Sequence, residues 1–286
     1  MSVKLELKNV CYYYGKGTAF EVKALDDVSF AVKTGSITGL IGHTGSGKST
    51  LAQLFNGLEK PFSGQVLLDG EDINDKKYKG LQLCFRVGLV MQYPEYQLFE
   101  ETVYEDIAFG PKNMGIDKEE IDRRVRDAAR FAGLDDEILN KSPFDLSGGQ
   151  KRRVAIAGIM AMQPEVLVLD EPAAGLDPRG RSEIFAGIRN YRDQTGATVI
   201  IISHSMEDMA EYCEDIIVMN RARVLLAGNV HDVFADSDLL ASAGLDIPQI
   251  TQVMRMLAAS GLDVDTGVCT KEQATKELVR ALKLSF

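Results

Sequence analysis

The chain has no tryptophan and only four cysteines, Cys11, Cys84, Cys213 and Cys269, which stand far apart. No CxxC pair and no Cys/His cluster occurs, so neither a disulfide framework nor a cysteine metal site is expected, and a reducing cytoplasm is the simplest home. Long hydrophobic runs are also missing. The longest candidates, Val166–Leu169 and Val199–Ile202, are strand-sized, well short of the ~20 apolar residues of a membrane helix. Met1 to Val10 alternates charged and apolar residues like a strand, unlike a signal peptide. Positive charge is in deficit: the formal net charge is -10. That balance disfavours a nucleic-acid partner, because phosphate backbones are met by basic faces. With no internal repeat and no low-complexity tract, the 286 residues hold one large unit and a small appendage.

What is present reads as an α/β protein. Val3–Val10 and Val28–Val32 alternate as half-buried strands do, and the Gly- and Tyr-rich stretch between them reads as a loop or hairpin. Ser36–Ile41 is a short buried strand running into glycines, followed by a helix over Ser49–Leu58. Val66–Leu68 and Val87–Val90 are further strands. From Thr102 to about Met162 the pattern is helical, with interruptions expected at Pro111, Pro143 and Gly148–Gly149. Val166–Leu169 and Thr198–Ile202 are nearly all apolar, which suits parallel strands covered on both faces. Ile216–Met219 and Arg223–Ala227 form a closing pair, and helical patterns follow. Pro248 suits the first turn of one helix, and Thr270 with Gln273 makes a capping box for another. The expected division is 1–235 for the main domain, with a helical subdomain at about 93–162, and 236–286 for a helical extension.

Gly42-His-Thr-Gly-Ser-Gly-Lys-Ser49 has the spacing of a phosphate loop. Its glycines let backbone N–H groups turn inward around an anion, and the helix behind directs its positive end there. Lys48 should reach the β- and γ-phosphates of a nucleotide, and the Ser49 hydroxyl should bind Mg²⁺. Gly42, Thr44, Gly45, Ser46, Gly47 and Thr50 complete the predicted cradle. The strand before it and the helix after it favour this over a chance glycine-rich turn. At the end of a later strand stand Asp170 and Glu171. Ligands of open parallel sheets sit beyond the carboxyl ends of the strands. Asp170 there suits Mg²⁺, and Glu171 suits the base that polarises an attacking water.

Leu146-Ser-Gly-Gly-Gln150 resembles the signature sequence of the ABC ATPases. Ser147 can cap the helix that opens at Gly148 and Gly149, whose free N–H groups make a second anion site. The resemblance implies a P-loop, RecA-like nucleotide-binding domain with an antiparallel β subdomain and a helical subdomain. It implies ATP and Mg²⁺ as ligands and ATP hydrolysis as the activity. Further motifs fall in the family's order. Gln92 matches the Q-loop glutamine, which senses Mg²⁺ and the attacking water. Ala174–Asp177 matches the D-loop, and His204 matches the switch histidine at the γ-phosphate. The aromatic that stacks on adenine falls among Tyr12, Tyr13 and Tyr14, and the family pattern favours Tyr14. Ala173, where many members carry Thr or Ser, is the departure from that pattern. Each ATP is expected between the phosphate loop of one subunit and Ser147, Gly148 and Gly149 of another.

Gln92–Val103 with Ile107–Asn113 is similar to the helical-subdomain signature of energy-coupling factor (ECF) transporter ATPases. Phe20–Asp27 and His43–Thr44 are similar to their A-prime, or second, ATPase type. This implies a peripheral ATPase on the cytoplasmic face of a prokaryotic cell membrane. Its implied partners are a sister ATPase, a transmembrane coupling protein and a membrane subunit that captures a vitamin or a metal ion. Tyr93, Pro94, Tyr96, Leu98 and Phe99 offer either a gripping surface for a partner helix or a buried subdomain core. A soluble ABC machine of DNA upkeep would need coiled-coil heptads or DNA-binding insertions, which the chain lacks. A degenerate, non-catalytic cassette conflicts with intact Lys48, Asp170, Glu171 and His204.

Overall fold

In the computed structural model, residues 2–75 and 81–283 are described; Met1 and residues 284–286, the outer limits of the two expected segments, lie outside them. The chain opens with β1 (Val3–Tyr14) and β2 (Val22–Lys33), paired antiparallel with Tyr12 opposite Leu25 and Tyr14 opposite Val22. All three tyrosines are therefore strand residues, and the turn is confined to residues 15–21. After β3 (Ile37–Gly42) and α1 (Lys48–Asn56), β4 (Ser63–Leu68) pairs with β1, and β5 (Glu71–Asp72) extends that sheet in the order β2-β1-β4-β5.

The second sheet collects strands from along the chain. α2 (Leu81–Arg86) leads into β6 (Val87–Val90), and three helices follow: α3 (Val103–Asn113), α4 (Lys118–Phe131) and α5 (Gly148–Met160). β7 (Val166–Asp170), α6 (Pro178–Thr195), β8 (Thr198–Ile202), α7 (Met206–Tyr212) and β9 (Asp215–Asn220) complete the parallel part, and β10 (Arg223–Asn229) returns antiparallel. The order is β10-β9-β3-β8-β7-β6.

Alternation along the parallel strands divides the interior in two. Val166, Val168, Ile200, Ile202, Ile217 and Met219 face the antiparallel sheet and α1, whose Leu51, Leu54 and Phe55 are fully buried there. Leu167, Leu169, Val199, Ile201, Ile216 and Val218 face the opposite way, onto a core shared with α3–α7. Burying such a side chain contributes about 1.5–3 kcal/mol, which explains why these strands carry almost no polar residue.

One expected interruption is corrected. α3 runs through Pro111, at the cost of the one main-chain bond that its missing N–H would have made to the Ile107 carbonyl. Val103, Ile107 and Ala108 pin that helix to the core. Gly148 and Gly149 open α5 with Ser147 as its cap, as expected. Past β10, α8 (Val230–Ala235) and α9 (Ser237–Ser242) are followed by α10 (Gln249–Ala259) and α11 (Lys271–Leu282). Leu240, Ala243 and Leu245 join the main core, whereas Met254, Val268 and Ala274 form a small core of their own. The capping box of Thr270 and Gln273 is present at the start of α11. Among the described residues no helix is long and apolar enough to cross a membrane.

Candidate active site

Parallel pairing brings the carboxyl ends of β3, β6, β7 and β8 to one edge of the sheet. The residues that follow these four strands are the Gly42 loop, Gln92, Asp170–Glu171 and His204. One cavity of about 360 Å³ is lined by Thr44, Gly45, Gly47, Lys48, Ser49 and Thr50 together with Gln92, Asp170, Glu171, His204 and Tyr14.

The loop after β3 is shaped by glycine where nothing else fits. Gly42 has φ +150°, and a Cβ there would lie 2.3 Å from the Met219 carbonyl; Gly47 has φ +107°, and a Cβ would lie 2.6 Å from that of Ala24. No side chain caps α1, so its first N–H groups are left for an anion. Lys48 Nζ donates to the carbonyls of Gly42 (2.6 Å) and His43 (2.8 Å). Burial pushes the Lys48 ammonium below its ordinary value, against the opposing pull of Asp170 and Glu171. Gly42 and Ser46 shape the loop from behind rather than line the cavity, and Ser46 Oγ is buried without a partner.

Ser49 Oγ donates to Asp170 Oδ2 at 3.1 Å, so a hydroxyl and a carboxylate meet at the floor. Burial raises the Asp170 carboxyl. Among the described residues no cluster of three His, Cys, Asp or Glu side chains exists that would cage a metal alone. Ser49, Asp170 and Gln92 supply oxygen donors only, the set a hard ion such as Mg²⁺ takes when phosphate oxygens complete its shell.

Glu171 has φ +52°, and its N–H donates to the Ile202 carbonyl at 2.9 Å, tying the end of β7 to the end of β8. Its Oε1 is buried, has no hydrogen-bond partner and lies 3.7 Å from His204 Nε2. Burial, reinforced by Asp170, pushes the Glu171 carboxyl above the usual range. Burial, with Lys48 nearby, pushes His204 below its ordinary value. The result is a basic carboxylate with a free lone pair beside a neutral imidazole.

Among the tyrosines, Tyr14 lines the cavity, its hydroxyl 3.1 Å from Thr50 Oγ1. Tyr12 is buried and donates to Glu59 Oε2 at 2.6 Å, and Tyr13 packs edge-on against Phe62. Val22, Lys23 and Ala24 of β2 also line the cavity, which sequence reasoning missed because only the hairpin register brings them there.

Ser147 and Gly149 do not reach this cavity. They line a separate one of about 430 Å³ with Gly175, Leu176 and Asp177. Ser147 Oγ accepts from the Gln150 N–H (3.3 Å), and Gln150 Oε1 accepts from the Ser147 N–H (3.0 Å). The Ser147 hydroxyl proton stays free to donate outward. Open space faces the Cα of Gly148.

A third feature also went unseen in the sequence. Glu95 receives a bidentate pair from Arg152 of α5, at 2.8 and 3.1 Å, so the segment after Gln92 is bolted to the helix that Ser147 caps. Beside that bolt, Leu98, Phe99, Phe109, Ile159 and Met162 line an apolar groove of about 280 Å³. Tyr93, Tyr96 and Phe99 are exposed, at 51%, 85% and 58%, whereas Pro94 is buried. The aromatic segment is thus mainly surface.

The ABC transporter family model matches residues 25–174. The energy-coupling factor transporter ATP-binding protein EcfA2 of Clostridium tetani is 51% identical over 281 residues, covering 98% of this chain and 97% of that protein. The EcfA2 protein of Streptococcus thermophilus is 48% identical, covering 96% of this chain and 99% of its own length. Among solved structures, cbiO1 from Clostridium perfringens, part of the ABC transporter complex cbiONQ, matches with 39% identity and a TM-score of 0.75, covering 89% of this chain and 100% of that one. The dimeric bacterial ABC transporter cassette MJ0796 matches with 28% identity and a TM-score of 0.69, covering 79% of this chain and 98% of that one.

Proposed function

The chain belongs to the ABC transporter ATPases as the ATP-binding subunit of an energy-coupling factor transporter, of the second ATPase type, and we propose that it hydrolyses Mg-ATP in a shared site with a sister ATPase to power uptake of a vitamin. The observation that carries this is the division of the nucleotide machinery between two cavities. Lys48, Ser49, Asp170, Glu171 and His204 surround one, and Ser147 and Gly149 line the other. A lone chain holds two halves that do not meet, so a second ATPase must supply the missing half to each. The dimeric state of the similar MJ0796 cassette supports the same arrangement.

In this reading Tyr14 stacks on the adenine. The Gly42–Thr50 loop and Lys48 hold the β- and γ-phosphates. Ser49, Asp170 and Gln92 would hold Mg²⁺, which when bound neutralises phosphate charge and polarises the γ-phosphoryl group. Glu171 Oε1 accepts the proton of the attacking water, and His204, 3.7 Å from it, orients the γ-phosphate. Ser147 of this chain donates its free hydroxyl proton to the γ-phosphate held by the sister chain, whose own signature loop completes the site here. Hydrolysis and loss of the γ-phosphate remove those contacts, and the pair of ATPases opens.

We assign residues 1–235 to the ATPase domain, with 93–162 as its helical subdomain, and 236–286 to an extension anchored through α9, with a small apolar core of its own from α10 onward. The exposed aromatics after Gln92 and the groove beside Phe99 suit a helix of a transmembrane coupling protein, with the vitamin held by a separate membrane subunit. The chain would then sit on the cytoplasmic face of the membrane. Co-purification in mild detergent tests this. A sister ATPase, a coupling protein and a vitamin-binding membrane protein should be recovered together. Recovery of the chain alone, or with a substrate subunit for a metal ion, would overturn the assembly or the cargo.

A further inference from the structure

His43 is the one phosphate-loop side chain given no role above, although its own carbonyl accepts from Lys48 Nζ at 2.8 Å. Its imidazole turns away from the cavity, and Nε2 bonds the carbonyl of Ala243, which follows α9. A carbonyl only accepts, so Nε2 carries the proton. The next residue, Gly244, has φ +68° and lies under the same ring, where an added Cβ would stand 3.1 Å from His43 Nε2. A second contact comes a few residues on. The N–H of Gln249, the first residue of α10, donates to Glu207 Oε1 at 3.3 Å. Glu207 belongs to α7, the short helix that begins just after His204. Between these two contacts, Ala243 and Leu245 are buried in the main core and Ile247 packs against it.

We propose that residues 243–249 form a strap through which the C-terminal helices sense and bias the nucleotide state. His43 and Glu207 act as positioning residues, the first through Lys48 and the second through His204. The proposal rests on the reading that the Gly42–Thr50 loop holds the triphosphate. When phosphates draw the Lys48 ammonium forward, the Gly42 and His43 carbonyls lose their donor and the loop must resettle. The His43 ring is fastened to Ala243, so the resettling is transmitted to the strap. Coupling of this kind is reciprocal: a neighbouring chain that presses on α10 and α11 changes ATP affinity by the factor with which ATP changes its grip.

Hydrogen exchange of the full chain, with its sister subunit where they purify together, tests the strap. Spectra are compared with and without Mg²⁺ and AMP-PNP. In the unaltered protein, exchange of residues 42–50 and of 243–260 should slow together, each by roughly threefold or more. His43→Ala should keep the response at 42–50, lose it at 243–260 and weaken AMP-PNP binding about fivefold, the low end of measured site-to-site couplings. His43→Gln, which retains an N–H donor, should restore part of both. Glu207→Ala should blunt the 243–260 response from the other end, and it serves if the alanine variant at His43 fails to fold. The strap is overturned if 243–260 ignores nucleotide while 42–50 responds, or if the alanine variants respond like the unaltered protein. A silent 42–50 would overturn the nucleotide reading itself, and the strap with it.

Discussion

Acids stand at both ends of β7, and they behave oppositely. Glu165, just before the strand, accepts from Arg86 Nε and Nη2 at 2.6 and 3.0 Å and from Lys4 Nζ at 2.5 Å. Its carboxyl is pulled down to about 2, first by the Arg86 hydrogen bonds and then by Lys4, against the effect of burial. Asp170 and Glu171, at the far end of the same strand, are pushed up by burial, and Glu171 Oε1 has no hydrogen-bond partner. The amino end has its charges neutralised by fixed cations and stays inert. The carboxyl end leaves two carboxylates and Lys48 incompletely satisfied, so a phosphate, a metal ion or a water proton can complete them. Environment rather than residue type separates a structural acid from a chemical one.

The largest expected effect tests that contrast directly. Glu171→Gln should keep ATP binding, lower turnover about 10²–10⁴-fold and trap a closed pair of ATPases, whereas Glu165→Gln should leave turnover within about twofold. Steady-state hydrolysis and size-exclusion with ATP check both, and normal turnover in Glu171→Gln would remove the base assignment. A smaller loss, about 10²-fold, is expected from Ser147→Arg, because it removes a donor aimed at developing charge and fills the approach. It tests whether the carboxyl-end edge is complete within one chain. Paired with the unaltered sister ATPase, the defect should fall on the nucleotide held by the sister's phosphate loop; a defect confined to the nucleotide on this chain's own Lys48 would refute the split site.

Phe99→Glu asks how far the chemistry of that edge extends. The residue lies past Gln92, its ring 4.9 Å from that of Phe109 in an edge-on pair. A charge there should weaken recovery of the membrane partner about tenfold, as loss of an interface aromatic does, with ATP binding unchanged. Pull-down and uptake at unaltered levels would count against the groove as the docking site.

The contrast also explains what could be read in advance. The loop Gly42–Thr50, the run into Asp170–Glu171 and the caps at Ser147 and Thr270 are local patterns, each complete within a few residues. Strand positions for Tyr12–Tyr14 depend on β2 lying opposite, so three aromatics before a glycine read locally as a turn. Pro111 reads as a helix breaker because propensity is local, and the core contacts of Val103 and Ile107 that outweigh it are not. The pairs Glu95–Arg152, Lys4–Glu165 and His43–Ala243 join residues 57, 161 and 200 positions apart, and nothing short-range announces them. Chemistry at the strand ends was therefore legible, while the bolts that hold and couple those ends were not.

The smallest expected effect lies at the inert end. Because the Glu165 carboxyl sits lower in the folded chain than the ordinary ~4.3 of an unfolded one, its clamp adds stability at pH values above about 4.5. That stability drains away as pH falls from there toward 2, where the folded carboxyl also protonates. The side chain is 40% exposed, so water and salt screen the pair with Lys4 and Arg86, and the contribution is about 0.5–1 kcal/mol. Glu165→Gln should therefore lower the urea midpoint at pH 7 by a measurable but small step, and by about half as much at pH 3. Asp69, which also bonds Lys4 and Arg86 at 2.8 and 2.9 Å, keeps both cations partnered in the variant and limits the loss. An equal difference at both pH values would mean that shape, not charge, holds this end of the strand, and the contrast between the two ends of β7 would lose its electrostatic basis.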